Sequence, residues 1–511
     1  MVGLGASGLG WRRVTVAATV AVAVLGVGLP AAAEGKPAPK KRPAPPNVVV
    51  IMTDDQTLAS YREDVMPRTV AGLGERGTTF TEAITSTPQC CPSRAGFLTG
   101  QYAHNNGVVS NNPGYPSLKR PETVLPAWLQ SAGYRTAHIG KYLNGYSPAI
   151  VPAPGWDRWR TTLETDYVDP KFSFDGKYVE PNEYLTTVIN REAVAAIDEL
   201  SPGRRPFYVQ VDQLAPHIGS RQEPGRCAGG PIPPPVEENL YADATVPATP
   251  AIEEGDVSDK PEFVRSKPLA SAAQRERIDL FYGCALATLP AVDRGVSGVI
   301  GALRRAGELD DTLIVFTSDN GYSYGEHRIA LTKGLGYEEH IRVPMVVRPP
   351  EGFPRRFRQG ASIAAPVANI DIAPTILQLA GVKPCAGDAG CRRLDGRSLV
   401  PLLRGREPRW AKRRAILTSF DINSEVYTRS CVWAGLRTPK LSMIEHLSLP
   451  DPETDECRPA SEYELYSLER DPLQLENLGT DARMAKRLDR LQRCSGIEGR
   501  DPRREGVPYC E

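Results

Sequence analysis

Four short apolar runs, each ending in a cluster of polar residues, set out the architecture of the chain. Asn47-Val48-Val49-Val50-Ile51-Met52-Thr53 is a continuous β-branched stretch that stops at Asp54-Asp55. An unbroken apolar run of this length predicts a strand buried on both faces, as in a parallel sheet. The same grammar recurs in Thr136-Ala137-His138-Ile139 before Gly140-Lys141, in Phe207-Tyr208-Val209-Gln210-Val211 before Pro216-His217, and in Thr312-Leu313-Ile314-Val315-Phe316-Thr317 before Asp319-Asn320. Helical periodicity lies between them, most clearly over Glu183 to Leu200 and Arg275 to Ala306. Alternating strand and helix predicts a mixed α/β sheet covered on both faces. Such sheets bind ligands beyond the carboxyl ends of their strands, so the four polar clusters are expected to converge.

Residues 218 to 270 break the pattern with Pro, Gly and charge. So long an irregular insertion, directly after His217, is expected to line or cover the substrate pocket. Asn369 to Gly381 reads as a helix with Asp371 near its start and Gly381 ending it, closing a large domain over 47–409. Short strand-like runs follow, Ala415 to Thr418 and Glu464 to Leu468, and predict a smaller C-terminal subdomain over 410–511. The chain shows no internal repeat and no nucleic-acid motif.

At the N-terminus, Arg12 and Arg13 precede an apolar run from Val14 to Leu29 and then Pro30-Ala31-Ala32-Ala33. This pattern predicts a signal peptide over 1–33, cleaved after Ala33, by the Sec or the twin-arginine route. The run of about 16 residues falls short of the roughly 20 a membrane span needs. Residues 34–46, rich in Pro, Lys and Ala, read as a disordered linker. The expected location is secreted or extracytoplasmic, with no membrane span once the signal is removed. Charged residues balance at 61 against 61, so no global field favours nucleic acid or an anionic membrane. An anionic substrate would have to be drawn by locally placed cations.

Asp54, Asp55, Asp319 and Asn320 offer only oxygen ligands from two distant strand ends, which suits a hard dication such as Ca2+ better than zinc. Carboxylates so placed would repel one another without a cation. Cys90-Cys91-Pro92-Ser93-Arg94, followed by Ala95-Gly96-Phe97-Leu98-Thr99-Gly100, precedes a helix expected to start near Ser93. The unpaired N–H groups of that helix would favour an anion beside Cys90.

Cys-x-Pro-Ser-Arg resembles the formylglycine signature of type I sulfatases, and the resemblance runs from about residue 46 to 480. The chain is most similar in its motifs to the N-acetylglucosamine-6-sulfatase branch, through Ile51 to Gln56, Cys90 to Arg94, Gly100 to Gly107 and Gly140 to Tyr146. The resemblance implies an alkaline-phosphatase-like large mixed sheet sandwiched by helices, with a smaller C-terminal α+β subdomain. It implies that a formylglycine-generating enzyme oxidises Cys90 to 3-oxoalanine (formylglycine), whose hydrate attacks sulfur, releases the alcohol and then expels sulfate. Calcium would be held by Asp54, Asp55, Asp319, Asn320 and the converted Cys90. Arg94 would hold this cluster in place, Lys141 and Lys333 would bind sulfate, and His217 would donate a proton to the leaving alcohol.

The implied reaction is hydrolysis of a carbohydrate or aryl sulfate monoester to inorganic sulfate. Two other readings stand beside it: a phosphate or phosphonate monoester hydrolase on the same scaffold, and a non-catalytic sulfated-glycan-binding protein with Cys90 unconverted. The chain departs from the family at Leu143, where many relatives carry histidine and where Asn144 is a possible substitute, and at Thr187, where many carry an acid. His327, in Gly325-Glu326-His327-Arg328, fits a pocket or a structural role equally. The eight cysteines outside the motif suit an oxidising compartment. Proximity suggests Cys385 with Cys391, Cys431 with Cys457 and Cys494 with Cys510, which leaves Cys227 to Cys284, out of 105 possible connectivities.

Overall fold

The first apolar run forms strand β1 (Asn47–Asp54), buried along its whole length near the middle of a ten-stranded mixed sheet. The protein is described by a computed structural model over residues 44–146, 151–220, 224–351, 357–385, 390–420, 431–451 and 456–495, besides isolated residues 15, 17 and 454. In chain order the remaining strands of the sheet are β2 (Thr78–Phe80), β3 (Arg135–Gly140), β4 (Arg158–Thr162), β5 (Phe172–Phe174), β6 (Lys177–Val179), β7 (Phe207–Pro216), β8 (Thr312–Ser318), β9 (Met345–Arg348) and β10 (Ala361–Ile363). Five adjacent strands, in the order β8-β1-β7-β3-β4, run parallel. Strand β9 pairs antiparallel with β8 and β2, and β5 and β6 extend the other edge as an antiparallel pair, which makes the sheet mixed.

Successive side chains of β1 point to opposite faces, and each face has its own core. Val48, Val50 and Met52 pack with Trp128, Trp159 and the helices α1 (Cys90–Thr99) and α4 (Ile372–Ala380). Val49 and Ile51 pack with Ile189 and Ile197 of α2 (Leu185–Leu200) and with Leu289 and Val296 of α3 (Ala272–Ala306). Both long helices lie within a few residues of the periodicity that predicted them, and α3 begins earlier because Ser271 and Gln274 form a capping box. Among the described residues α3 is the one helix long and apolar enough to cross a membrane, and its burial against α2 and the sheet marks it as a core helix. Asp371, at the start of α4, takes both terminal nitrogens of Arg414 at 2.5 and 2.6 Å.

Among its described residues the insertion after β7 carries one short helix, Glu262–Arg265, and is otherwise irregular. A Cys227–Cys284 disulfide staples it to α3. Cys385–Cys391 and Cys431–Cys457 also pair as proximity suggested, while Cys90 and Cys91 are free and buried. The Cys494–Cys510 pairing falls outside the described residues, as do the signal peptide 1–33 and nearly all of the linker 34–46.

Toward the C-terminus a separate antiparallel sheet runs β11 (Ile416–Phe420), β12 (Trp433–Arg437), β13 (Leu441–Pro450) and β14 (Cys457–Ser467), followed by α5 (Ala482–Ser495). Trp433 and Ile444 of this sheet pack on Ile84 and Ile341, and the Trp433 indole N–H donates to the Gly334 carbonyl at 2.8 Å.

Candidate functional site

The register between β1 and β8 assembles the acidic centre. Thr53 lies beside Ser318 in this parallel pair, so Asp54-Asp55 and Asp319-Asn320 emerge side by side although 265 residues separate them. The Asp319 N–H donates to the Thr53 carbonyl at 3.1 Å, and the Asp55 N–H donates to Asp319 Oδ1 at 3.2 Å. One oxygen from each of Asp54, Asp55 and Asp319 falls within 4.8 Å of the others.

Helix α1 brings the cysteine motif to this centre. It begins at Cys90, three residues before the expected start, because proline needs no N–H partner in a first turn and Pro92 fits there. All ten of its residues are buried, and Cys90 itself is 1% exposed. The Ser93 hydroxyl donates to the Asp319 carbonyl at 2.5 Å, and Asn369 Nδ2 donates to the Ser93 carbonyl at 2.9 Å, which fixes the helix against the strand ends. Cys90 Sγ lies 3.5 Å from Asp54 Oδ1 and 2.9 Å from Lys333 Nζ.

Four cationic or basic groups surround this point. Arg94 is 2% exposed and spans three carboxylates: Nε to Asp319 Oδ2 at 2.8 Å, Nη2 to Asp54 Oδ2 at 3.1 Å and Nη1 to Asp212 Oδ1 at 3.5 Å. Lys141 Nζ contacts Asp54 Oδ2 at 2.5 Å. Lys333 Nζ donates to Asp55 Oδ1 and stands 3.8 Å from Asp54 Oδ1. His217 Nδ1 donates to the Ile218 carbonyl at 2.6 Å, which turns Nε2 toward Asp55 Oδ2 at 3.7 Å and Asp54 Oδ1 at 4.0 Å. The chain turns sharply to deliver Lys141: Gly140 has φ +104°, and a Cβ there would fall 1.9 Å from the Asp212 carbonyl oxygen.

The electrostatics follow from burial and these pairings. Burial alone would raise the Asp54 carboxyl, but Lys141, His217, Arg94 and Lys333 outweigh it and hold Asp54 well below the usual carboxylate range. Asp319 moves the other way, to about 6, pushed by burial and then by the charge of Asp54 against the opposing pull of Arg94. Burial and Asp54 push the Cys90 thiol up to about 11, so at neutral pH it is a protonated and weak nucleophile. Lys141 and Lys333 stay charged because Asp54 and Asp55 outweigh their burial. Burial lowers His217.

The donor set fits a hard dication. Three carboxylates converge, and Asn320, whose Nδ2 donates to Asp55 at 2.5 Å, leaves its buried Oδ1 without a hydrogen-bond partner. Cys90 Sγ groups instead with Asp54 and His217. The structure thus brings together Asp54, Asp55, Cys90, Arg94, Lys141, His217, Asp319, Asn320 and Lys333, the residues expected to bind metal and sulfate or to take part in the chemistry.

His327 lies apart from this group. Its Nδ1 bonds Glu254 Oε2 at 2.7 Å and its ring stacks on Tyr337. Leu143 is buried in the core and Thr187 sits on the exposed side of α2. Asn144 uses its main-chain carbonyl, not its side chain, to accept from Cys91 Sγ at 3.7 Å.

One functional residue was missed. Asp212 stands behind Arg94, and its Oδ2 accepts from Gln210 Nε2 at 2.6 Å and pairs with His138 Nε2 at 2.9 Å. A carboxylate inside an apolar strand run was the available signal, since a buried charge needs a partner.

Residues of the insertion reach the surroundings of the site. Ile218 and Pro231 stand with Asp55, Tyr322 and Tyr324, Ser220 lines a cavity at Lys141, and Phe263 and Lys267 line a larger one of about 560 Å3 along the strand that leads to Lys333.

Comparison with known proteins places this geometry. The family described as Sulfatase matches residues 46–382, and N-sulphoglucosamine sulphohydrolase, C-terminal, matches residues 325–494. The chain belongs to the sulfatase family. An arylsulfatase of Volvox carteri is 36% identical over 69% of this chain, which spans 58% of that relative's length. An N-acetylglucosamine-6-sulfatase of Capra hircus is 30% identical over 90% of this chain and 85% of its own. Among solved structures, a protein in complex with its substrate D-glucosamine-2-N,6-O-disulfate superposes with a TM-score of 0.69 at 24% identity, covering 88% of this chain and 98% of that one. The phosphonate monoester hydrolase of Agrobacterium radiobacter gives 0.64 at 21% identity, covering 89% and 96%. Both structures share the sulfatase fold seen here.

Proposed function

We propose that this sulfatase-family chain hydrolyses a sulfate monoester, with residue 90 converted to formylglycine and calcium held by Asp54, Asp55, Asp319 and Asn320. The observation that carries the reading is the position of Cys90. It opens a buried helix and touches both Lys333 and Asp54, at the edge of the acidic centre. Formylglycine supplies a hydrated aldehyde oxygen as nucleophile, and calcium supplies Lewis acidity toward a sulfate oxygen.

The chain's own residues do the rest. Lys333 Nζ and Lys141 Nζ flank residue 90 through Asp55 and Asp54 and offer N–H donors to sulfate oxygens. Arg94 keeps Asp54 and Asp319 from separating. His217, locked by its Nδ1–H bond to Ile218, presents Nε2 to the centre and can carry a proton to the leaving alcohol.

Charge count supports sulfate over a phosphate monoester. Arg94, Lys141 and Lys333 face Asp54, Asp55, Asp212 and Asp319, leaving one net negative charge. A dication makes that one positive, which matches a singly charged sulfate ester better than a doubly charged phosphate ester. We further assign the protein to an extracytoplasmic compartment, a reading supported by the signal-peptide pattern expected of residues 12–33 and by the three disulfides among the described residues.

Two measurements on protein from a host with the converting activity test the reading. The Gly77–Arg94 tryptic peptide should carry the mass of formylglycine at residue 90, and sulfate release from sugar and aryl sulfates should vanish in Cys90→Ala. Residual turnover in that variant would remove the assigned nucleophile. Binding of sulfated glycan without any sulfate release by the wild type would favour a non-catalytic role. A faster rate on matched phosphate or phosphonate esters would favour the alternative hydrolase.

A further inference from the structure

Lys333 is delivered to Cys90 by a two-stranded ribbon whose far end rests on the insertion. Ser323 pairs with Thr332 and Tyr324 with Ala330, so the ribbon leaves Asn320, turns at 325–329 and returns directly to Lys333. Its turn and returning arm are strained. His327, Arg328 and Leu331 hold φ of +52°, +58° and +56°, a region unfavourable for residues other than glycine. Such a conformation persists only where neighbouring structure over-determines it.

At the turn that constraint comes from the insertion. The His327 N–H donates to the Ala251 carbonyl at 2.8 Å, and the Glu253 N–H donates to the Gly325 carbonyl at 3.2 Å. Arg328 donates to three main-chain carbonyls of the insertion: Nε to Glu254 at 2.8 Å, Nη2 to Gly255 at 2.7 Å and Nη1 to Lys267 at 3.0 Å. His327 Nδ1 bonds Glu254 Oε2 at 2.7 Å, and Lys260 Nζ meets Glu254 Oε1 at 3.1 Å. His327 is 1% exposed, Glu254 4% and Lys260 0%, so this chain of polar groups is closed to solvent. Lys260 carries it on to the Leu475 carbonyl at 2.6 Å. A buried carboxylate held from both sides resists displacement, because losing a partner leaves its charge unpaired away from water. The ribbon links this anchor to the acidic centre, where Lys333 Nζ stands 2.9 Å from Cys90 Sγ. A shift of the turn is therefore carried along the returning arm to Lys333.

We propose that His327 is a positioning residue for Lys333: its bond to Glu254 latches the strained turn onto the insertion and so sets where the Lys333 ammonium stands beside residue 90. The latch rests on the contacts alone. What Lys333 does there rests on the sulfatase reading, which this inference deepens.

The test is a double-mutant cycle on the matured protein with 4-nitrophenyl sulfate, run far below the unfolding temperature so that lost stability does not enter. His327→Ala should lower kcat/KM between about tenfold and a hundredfold, the scale of a displacement of about 1 Å in a group that holds the substrate. In Lys333→Ala the same substitution should change kcat/KM by less than about twofold, because the residue it acts through is gone. His327→Asn should recover most of the loss. Its amide reaches the place of Nδ1, asparagine tolerates positive φ, and Nε2 has no hydrogen-bond partner to lose. Equal falls in both backgrounds, no fall at all, or an Asn variant no better than Ala would overturn the assignment. Hydrogen exchange read by mass spectrometry separates the latch from the chemistry. Amides of 323–333 should exchange about tenfold faster in His327→Ala than in the wild type or His327→Asn, the loss of one buried hydrogen bond, with α2 unchanged. That result upholds the latch even if the wild type hydrolyses no ester, a failure that would count against the hydrolase reading alone. Unchanged exchange overturns the latch whatever the turnover. Should His327→Ala not fold, Glu254→Gln, which keeps the shape and removes the charge, is read in the same two assays with the same directions expected.

Discussion

Replacing Arg94 by methionine removes a side chain that reaches three carboxylates. Its contacts of 2.8, 3.1 and 3.5 Å go to Asp319, Asp54 and Asp212, all buried. Breaking a buried ion pair by deleting one partner costs about 3–5 kcal/mol. The three contacts do not add, because Lys141 and Lys333 still face Asp54, so the lower end, about 3 kcal/mol, is expected. With an unfolding entropy of about 2.1 cal/mol/K per residue, that lowers Tm by about 3 °C in a chain of 511 residues. The deficit should depend on pH. Asp319 is raised from 3.8 to about 6 in the folded protein, so the folded state binds its proton more tightly than the unfolded chain. The stability this contributes is complete below pH 3.8 and is lost as pH rises through about 6. Without Arg94 to hold the carboxylate charged, Asp319 moves higher still and the penalty at alkaline pH grows. Thermal melts of wild type and Arg94→Met in a chelator at pH 5 and pH 8 measure this. An unchanged Tm at pH 8, or a larger drop at pH 5 than at pH 8, would refute the assignment of Arg94 as the charge that holds the cluster together.

Asp319→Ala should cut the calcium content of purified protein, read by elemental analysis after dialysis, and unchanged calcium would remove Asp319 from the ligand set. Gly140→Ala should destabilise by at least about 2 kcal/mol in chemical denaturation, because φ +104° and the Asp212 carbonyl leave no room for a methyl. It should also slow turnover by displacing Lys141, and wild-type stability would contradict the close approach.

The strand ends were legible because each apolar run stops abruptly at its polar cluster, while Cys90, Arg94 and Lys333 and the role of each site residue came from the resemblance to a known family. What sequence could not supply was register. Nothing local says that Thr53 faces Ser318 rather than a neighbour, yet a one-residue slip would turn Asp54 or Asp319 to the other face of the sheet. His138 and Asp212 were hidden for a related reason. Polar residues within apolar runs signal that a partner exists, but the pairing is made across two neighbouring strands, where Gly140 stands beside Asp212. The start of α1 was placed three residues late, since Pro92 fits the first turn of a helix without an N–H partner.

On the function proposed, the depth at which Cys90 lies turns maturation into a race. The residue sits at the start of a helix sealed between the sheet and α4, so no macromolecule can reach its sulfur once those elements have closed. On the function proposed, any conversion has to happen while the chain is still open. The burial is completed by β1 pairing with β7 and β8, partners about 160 and 265 residues away, and contacts of such separation form late. The topology that buries the sulfur therefore also delays its burial, and the fraction of active protein is set by two competing rates, not by the stability of the finished fold.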